Sequence, residues 1–270
     1  MVFILTTLFL IFGLVVGSFL NVVICRMNTT RSLGGRSACM SCRNQLSWYD
    51  LIPFFSFIAL RGRCRNCQTR IAISYPLVEL LAGLIFVALF LKFQDILFIS
   101  VFQFIISYVY YAFMFSLLLV IAAYDSRHKI IPDALSFIFG VLAFAGLFFF
   151  KNNIFLGFYP YFPTSLELLS GILIALPFAL FWLVSQGRWM GLGDAKLALG
   201  MGWLLGLPLA ISAVVLSFWT GATAGLGLII FSKIYDGHGI YGMKSEIPFA
   251  FYLFLGTLFA FIFNLRLLPV

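Results

Sequence analysis

The feature that most constrains this chain is the recurrence of apolar segments about 20 residues long over nearly its whole length. The hydrocarbon core of a bilayer is about 30 Å thick, and an α-helix of about 20 apolar residues crosses it. The sequence therefore predicts an all-α polytopic membrane protein with about eight transmembrane helices. The predicted spans cover residues 2–25, 76–91, 96–123, 131–150, 165–187, 195–213, 214–232 and 247–265.

The composition supports the same fold class. Of the 270 residues, 63% are hydrophobic and 10% are charged, whereas soluble globular chains have about 45–50% apolar and about 25% charged residues. The pattern predicts a first transmembrane helix over residues 1–25, a long polar loop over 26–74 and a membrane core of about seven helices over 75–270. Because little of the chain remains for a soluble catalytic domain, we expect any chemistry to lie at or in the bilayer.

The basic residues predict the orientation in the membrane. The chain has 17 Lys and Arg against 9 Asp and Glu, and in the eight-span arrangement all basic residues except Lys92, Lys151 and Arg266 fall on one side. By the positive-inside rule that side, which includes the loop 26–74, faces the cytosol. The same rule explains the net charge of +8 without a nucleic-acid partner, so we expect membrane lipid and no nucleic acid.

Four of the five cysteines lie in the polar loop as two Cys-x-x-Cys pairs, Cys39 with Cys42 and Cys64 with Cys67. This spacing is close to that of a zinc ribbon with four thiolate ligands. Redox chemistry is the alternative, but the cytosol keeps thiols reduced. We therefore expect a structural zinc ion that holds a loop with a small core, and a site with four thiolates leaves no open position for a reacting water.

The nine acidic residues separate into two groups. Charges exposed to solvent explain five of them, and four remain near the predicted cytosolic interface, where a carboxylate in or beside a span is a functional candidate. The first group is Asp50, Asp95, Glu167, Asp236 and Glu246, and the second is Glu79, Asp125, Asp133 and Asp194.

Asp125 and Asp194 are the most informative pair of this group, because the topology places them at the same depth and on the same side of the membrane. Two carboxylates brought close in a site of low dielectric cannot both ionise, so one keeps a proton and the other can activate water. This is the chemistry of aspartic proteases. The alternative is structural, with Asp194 as a helix N-cap and Asp125 paired with Arg127 or Lys129.

These residues occur within longer motifs, and with them the chain resembles the type IV prepilin peptidases, a family of bifunctional leader peptidases and N-methyltransferases of bacterial inner membranes. The resemblance runs nearly from end to end. Its motifs are Gly17-Ser-Phe-Leu-Asn-Val-Val-Ile24, the two Cys-x-x-Cys pairs, Trp48-Tyr-Asp50, Tyr75-Pro-Leu-Val-Glu-Leu-Leu80, Asp125 with Ile131-Pro-Asp133, Gly191-Leu-Gly-Asp-Ala-Lys196 and Ile247-Pro-Phe249.

The resemblance implies a membrane aspartic endopeptidase that removes the short basic leader from type IV prepilins or pseudopilins, after a glycine and at the cytosolic face. It implies that Asp125 and Asp194 are catalytic. The other positions of the same motifs would support the catalytic loop, and these are Gly191, Gly193, Lys196 and Asp133.

The resemblance also implies methylation of the newly exposed N-terminus with S-adenosylmethionine as the methyl donor. Glu79 is the candidate residue for this step, since a carboxylate near the interface can receive the ammonium group of the substrate. The alternative for Glu79 is a structural ion pair with a nearby arginine.

Three other functions remain open from the sequence. The chain could be a peptidase without methyltransferase activity, a proton-coupled transporter or a non-catalytic assembly scaffold. A transporter usually places its polar groups near the midplane of the bilayer, whereas the aspartates here lie near one interface. A scaffold, unlike a peptidase, would keep its function when Asp194 is replaced by Asn.

Overall fold

The computed structural model describes residues 2–29, 34–151, 153–155, 157, 162–188, 190–235 and 248–267. The chain forms two compact units, Met1–Val120 and Ile121–Val270. Asp236 and Glu246, which the sequence assigned to a solvated loop, lie outside the described residues.

Two long apolar helices form the frame of the first unit. They are α1, Val2–Arg26, and α3, Ser74–Ile99. They pack closely because two glycines of α1 leave room for the backbone of α3. A Cβ atom added to Gly13 would lie 2.8 Å from the Cα of Gly83, and one added to Gly17 would lie 2.7 Å from the Cα of Glu79. This contact fixes the end of α1 beside the start of α3.

Aromatic side chains fill the other end of the first unit. Helix α4, Val101–His128, begins there, and Phe104 of α4 meets Phe90 of α3 with ring centroids 6.4 Å apart. Phe9 of α1 stacks on Phe90 at 4.6 Å. The hydroxyl of Tyr108 donates to the carbonyl oxygen of Phe86 at 3.1 Å, so this buried polar group is satisfied.

The polar loop between α1 and α3 has little regular structure. It contains a short 3-10 helix, Trp48–Leu51, and helix α2, Phe55–Ala59. Two isolated antiparallel bridges, Ala38 with Gln45 and Arg63 with Arg70, close the turns around the cysteine pairs.

The described residues of the second unit form the end of α4 and five further helices. Thr164 is the N-cap of helix α6, Ser165–Ser185, and forms a capping box with Glu167. The Thr164 hydroxyl accepts a hydrogen bond from the backbone N–H of Glu167, and the Glu167 carboxylate accepts one from the backbone N–H of Thr164. Strand β1, Phe150–Lys151, pairs antiparallel with strand β2, Ile154–Phe155. The helices are α5, Asp133–Gly146; α6, Ser165–Ser185; α7, Leu192–Leu205; α8, Leu207–Tyr235; and α9, Ala250–Phe263.

The boundary between α7 and α8 lies at Gly206 and not near residue 213, where the sequence placed it. Gly206 has a φ of 74°, in the left-handed region that glycine adopts without steric cost. Pro208 follows as the second residue of α8, where its missing N–H leaves no gap in the helix. Because residues on both sides are equally apolar, hydropathy alone did not reveal this break.

Within the described part of the chain, five helices are long and apolar enough to cross a membrane: α1, α3, α4, α6 and residues Leu207–Ile230 of α8. The helices α5, α7 and α9 have 14 residues each, and α5 and α9 are apolar. The predicted class, a multi-pass helical membrane protein with a cysteine loop after the first helix, is confirmed, and the count of eight spans is approximate.

Candidate active site and metal centre

Asp125 lies in the last turn of α4, within the second unit. Its side chain is buried, with 5% exposure. The backbone N–H of Ala250, the first residue of α9, donates to Asp125 Oδ2 at 3.3 Å. The end of one helix and the start of another therefore hold this carboxylate.

Asp194 lies in the first turn of α7, two residues after the helix begins at Leu192. It is also buried, with 8% exposure. Its carboxylate accepts a hydrogen bond from the backbone of Gly191 and interacts electrostatically with Asp125. The structure thus brings together, within one compact unit, the two aspartates that the topology had placed at the same depth.

The arrangement suits acid-base chemistry more than a structural role. Gly191 and not Asp194 occupies the N-cap of α7. Among the described residues Asp125 forms no ion pair within 4.0 Å, so the structural alternative is not what the geometry favours. Two buried carboxylates that repel each other favour the state in which one holds a proton.

The glycines before Asp194 let other parts of the chain come close. A Cβ atom added to Gly193 would lie 2.8 Å from Cβ of Ile131, a clash that requires one side chain to shift. The position corresponding to a Cβ on Gly191 is 3.7 Å from Asp194 Oδ2. Glycine at position 193 thus allows the segment before α5 to lie against this turn, whereas a Cβ atom at position 191 would make only an ordinary van der Waals contact with the Asp194 carboxylate.

Asp133 and Lys196 pair with each other. Lys196 Nζ lies 2.7 Å from Asp133 Oδ1, and the two side chains are 44% and 77% exposed respectively. The pair joins the first residue of α5 to the fifth residue of α7. Neither side chain bonds to a buried aspartate among the described residues, which points to positioning of the helix ends.

The four loop cysteines form a cluster in the first unit. The sulfurs of Cys39, Cys42, Cys64 and Cys67 all lie within 4.8 Å of one another, close enough to hold one metal ion. Four cysteine sulfurs are also the donor set that structural zinc sites use.

The backbone around the two cysteine pairs repeats the same geometry. Cys39 N–H donates to the carbonyl of Asn44 and the carbonyl of Cys39 accepts from Arg43 N–H. Cys64 likewise donates to Thr69 and accepts from Gln68. The residues after each pair, Arg43 and Gln68, both have left-handed φ values of 58° and 56°. Two turns of one shape therefore present four sulfurs to one point.

The surroundings favour the thiolate form at two of the four cysteines, Cys67 and Cys39. At Cys42 a backbone hydrogen bond with Asn44 lowers the pKa, but desolvation and the neighbouring cysteines outweigh it and raise the pKa to about 11. A hydrogen bond with the Thr69 side chain lowers the pKa of Cys67 to about 6. Backbone N–H groups of Cys42 and then Ser41 lower the pKa of Cys39. A thiolate is the form of cysteine that coordinates a metal.

Glu79 lies in the first turns of α3, in the first unit. Its Oε2 accepts the backbone N–H of Phe54 at 2.8 Å, and its carboxylate also hydrogen-bonds to the side chains of Ser18 and Asn21. Among the described residues it forms no ion pair with an arginine. The alternative role of Glu79, a structural ion pair with an arginine, is therefore not found among the described residues.

Three contributors to these sites were not expected from the sequence. Ala250 supplies only a backbone N–H, which no residue type reveals. Asn21 is buried at 4% exposure, and in the sequence it was only one polar residue within an apolar span. Asp50 was expected to be solvated, but its side chain is 9% exposed and pairs with Arg65 at 2.9 Å; the motif Trp48-Tyr-Asp50 was the available signal.

Comparison with protein families gives two matches that together cover most of the chain. Residues 11–93 match the model of the bacterial peptidase A24 N-terminal domain, and residues 112–226 match that of the type IV leader peptidase family. The first match includes the cysteine cluster and Glu79, and the second includes Asp125 and Asp194.

Curated relatives extend over nearly the whole sequence. A protein of Bacillus subtilis is 28% identical over 94% of this chain and 92% of its own length, and one of Aeromonas hydrophila is 30% identical over 92% and 87%. A protein of Myxococcus xanthus is 32% identical over 82% of this chain, which spans 62% of that protein's length. Each is named prepilin leader peptidase/N-methyltransferase.

No solved structure matches the chain. The similarity to the Aeromonas protein, together with the two adjoining family matches, covers both the cysteine cluster and the buried aspartates. On these grounds the chain belongs to the type IV leader peptidase family.

Proposed function

We propose that this chain is a membrane aspartic endopeptidase that removes the basic leader of type IV prepilins or pseudopilins, with Asp125 and Asp194 as its catalytic residues. The observation that carries the proposal is the buried, mutually interacting pair of carboxylates at two helix ends in one compact unit. Membership of the leader peptidase family and the names of the relatives supply the substrate class.

The chemistry follows from the shared proton. The ionised aspartate takes a proton from a water molecule, whose oxygen attacks the carbonyl carbon of the glycine that ends the leader. The protonated aspartate donates to the nitrogen of the leaving group, so the peptide bond breaks and a free amine forms. At the end of the cycle one carboxyl group again holds the proton.

The location of the pair agrees with such a substrate. We place the chain in the bacterial inner membrane with the loop 26–74 in the cytosol, because the basic residues concentrate on that side. Asp125 lies in the last turn of its helix and Asp194 in the first turn of its helix. A substrate whose apolar stem lies in the bilayer would present its leader junction at this interface.

A second activity belongs to the same proposal. We assign Glu79 to methylation of the new N-terminus, with S-adenosylmethionine as the methyl donor, because its carboxylate can receive the substrate amine. We also propose that the cysteine cluster holds zinc, which supports the loop and takes no part in cleavage, since four thiolates leave no open coordination position.

An intact-mass assay tests the proposal directly. The purified full-length enzyme in detergent is incubated with a prepilin whose leader ends in glycine, with and without S-adenosylmethionine. The variants are Asp125→Asn and Asp194→Asn, with Asp95→Asn as the matched control, because Asp95 is an exposed aspartate of α3.

The masses separate the activities. The aspartic mechanism is supported if the prepilin loses the mass of its leader with the wild type and Asp95→Asn but with neither Asp125→Asn nor Asp194→Asn. A gain of one methyl mass when S-adenosylmethionine is present supports methylation. Cleavage that persists in both Asp125→Asn and Asp194→Asn contradicts the mechanism. A wild-type enzyme that never cleaves contradicts the peptidase assignment and favours the scaffold function.

A further inference from the structure

A cavity of about 710 Å³ lies in the first unit, between the end of α1, the start of α3 and the cysteine loop. Pockets that bind small molecules and cofactors usually have volumes of about 300–1,000 Å³. This cavity is therefore large enough for a ligand of several hundred daltons. The aspartates of the second unit do not line it.

One part of the cavity wall is polar and incompletely satisfied. Asn21 lines it and is 4% exposed. Its Nδ2 donates to the carbonyl of Tyr75 at 3.0 Å, whereas its Oδ1 has no hydrogen-bond partner among the described residues. A buried acceptor without a partner costs about 1–3 kcal/mol. Since Glu79 lines the same wall, this part of the cavity is suited to a ligand with a donor or a positive charge.

Another part of the wall is basic. Arg26, Arg43 and Arg70 line the cavity, and Arg65 lines it while paired with Asp50. Arginine binds carboxylate groups through two parallel hydrogen bonds. The cavity therefore offers positive groups for an anionic end of a ligand and negative groups for a cationic one.

Aromatic rings supply the apolar part. Tyr49, Phe57 and Tyr75 line the cavity, and the Arg65 guanidinium lies 4.9 Å above the centre of the Tyr49 ring. Flat rings and a guanidinium plane provide surfaces on which a purine base can stack.

We propose that this cavity binds S-adenosylmethionine, so that the first unit carries the methyl-transfer site; this rests on the methylation activity in the proposed function. The ligand combines a flat adenine, a carboxylate, an ammonium group and a positive sulfonium. The aromatic rings of the cavity can stack on the adenine, and the arginines can bind the carboxylate. Glu79 and Asn21 can accept hydrogen bonds from the ammonium group and stabilise the positive charge.

The basic leader peptide fits the cavity less well. The lining has the four arginines named above and two carboxylates, and one carboxylate, Asp50, is already paired. Lysines and arginines of a leader would meet mostly like charge, which costs affinity. A small zwitterion avoids this repulsion, because its own carboxylate can pair with the arginines.

The transfer step needs only groups already named. The ammonium group of the substrate N-terminus loses one proton to the Glu79 carboxylate, and the lone pair freed on its nitrogen then forms a bond to the methyl carbon. The bond from that carbon to sulfur breaks, and its electron pair stays on sulfur, which leaves a neutral thioether. The products are a methylated ammonium group, S-adenosylhomocysteine and a protonated Glu79.

Binding of S-adenosylhomocysteine to the full-length enzyme, measured by calorimetry, tests the site without any turnover. The first variant, Ala72→Trp, places a large ring at an exposed position that lines the cavity. Its matched control is Ala59→Trp, at an exposed position that does not line it. We expect Ala72→Trp to abolish measurable binding and Ala59→Trp to bind like the wild type.

The second pair of variants tests the basic wall. Arg63 and Arg70 face each other in one antiparallel bridge and are both exposed, but only Arg70 lines the cavity. We expect Arg70→Ala to weaken binding about tenfold, as the loss of one charge-assisted hydrogen bond predicts. Arg63→Ala should bind like the wild type.

Two activities are measured on the same samples, cleavage of the full prepilin and methylation of a synthetic peptide with the mature N-terminus. Cleavage in all variants shows that each is inserted and folded. Binding and methylation that fall together in Ala72→Trp and Arg70→Ala support the site.

Two results would overturn the assignment, and they differ. Methylation by the wild type with unchanged binding in Ala72→Trp and Arg70→Ala places the donor elsewhere and leaves the proposed function intact. A wild type that cleaves but neither binds S-adenosylhomocysteine nor methylates the peptide removes methylation from the proposed function and the cavity site with it.

Discussion

The two sites of this chain are held in different ways. The aspartate pair lies at helix ends with buried neighbours, and next to Asp194 the residues Ala195, Leu197 and Ala198 are at most 6% exposed. In the loop between α1 and α3, Cys64 is the only buried residue among those that the structure describes. Packed helices hold the first site, whereas turns around a cysteine cluster that can hold a metal ion form the second.

This difference indicates how each site can fail. A carboxylate held by buried helix ends depends on local packing and on no added ligand. A loop with almost no buried apolar surface cannot offset its conformational entropy and needs the cross-links that a metal provides. If the two activities reside where we propose, one should survive damage to the site of the other.

The largest expected effect comes from the aspartates. Asp125→Asn and Asp194→Asn should each lower kcat/KM for cleavage by a factor on the order of 10²–10⁴, because each removes one half of the acid-base pair. The double variant should be little worse than either single one, since the two groups act as a unit. Cleavage kinetics by mass spectrometry measure this.

Methylation of a peptide that already has the mature N-terminus provides the control for these variants. It should proceed at the wild-type rate in all three, because Glu79 and the cavity lie in the other unit. Loss of both activities in Asp125→Asn would mean that the separation into two sites is wrong.

The next effect in size comes from metal removal. Cys64→Ser, or treatment of the wild type with a strong chelator, should abolish zinc binding and S-adenosylhomocysteine binding, because Cys39 and Cys64 form part of the cavity wall. Structural zinc sites contribute about 10–16 kcal/mol of binding free energy, enough to determine whether such a loop folds. Metal content by mass spectrometry and binding by calorimetry measure the two losses.

Leader cleavage should continue in the metal-free enzyme. Cys25→Ser is the control for metal content, since Cys25 lies outside the cluster of four. Full cleavage and full methylation in a protein shown to contain no metal would contradict the role of the cluster.

The sequence predicted the parts of these sites that depend on residue type and spacing. Cys-x-x-Cys pairs are rare enough to indicate a metal cluster, and because the chain has only nine acidic residues, Asp125 and Asp194 stand out as a candidate pair. Hydropathy predicted where the long helices lie, because burial in lipid requires apolar side chains almost everywhere along a span.

The parts that the sequence did not predict depend on backbone or on tertiary contacts. The N–H of Ala250 binds Asp125 through an atom that every residue except proline possesses. The turn at Gly206 has no hydropathy signal. The cavity is formed by residues from 18 to 79, and only the folded chain shows that Asn21 and the cysteine loop share it.

A smaller effect is expected from crowding the turn before Asp194. Gly193→Ala adds a Cβ atom 2.8 Å from Ile131 Cβ, and a tight contact of this kind typically costs about 1–3 kcal/mol. We expect a lower thermal stability and slower cleavage, with methylation of the mature peptide unchanged. Thermal unfolding and cleavage kinetics are the measurements.

A second substitution tests whether that contact is the cause. Ile131→Gly removes the Cβ atom that the new Cβ of Gly193→Ala would strike, so the double variant should recover part of the lost cleavage. Gly227→Ala is the control, because an added Cβ atom there meets nothing within 4 Å. Equal losses in the single and double variants would show that backbone freedom, and not the contact with Ile131, is what Gly193 provides.

The smallest effect is expected from the ion pair between Lys196 and Asp133. The pair is short, at 2.7 Å, but largely exposed, and exposed pairs contribute about 0.2–1 kcal/mol. Lys196→Met and Asp133→Asn should therefore each lower stability slightly. The double variant Lys196→Asp with Asp133→Lys, which exchanges the two charges, should restore part of that loss. Thermal unfolding at low and high salt measures it, because salt weakens an exposed pair. A loss of cleavage as large as that of Asp125→Asn would instead place Lys196 or Asp133 in the reaction itself, since so small a change in stability cannot remove catalysis.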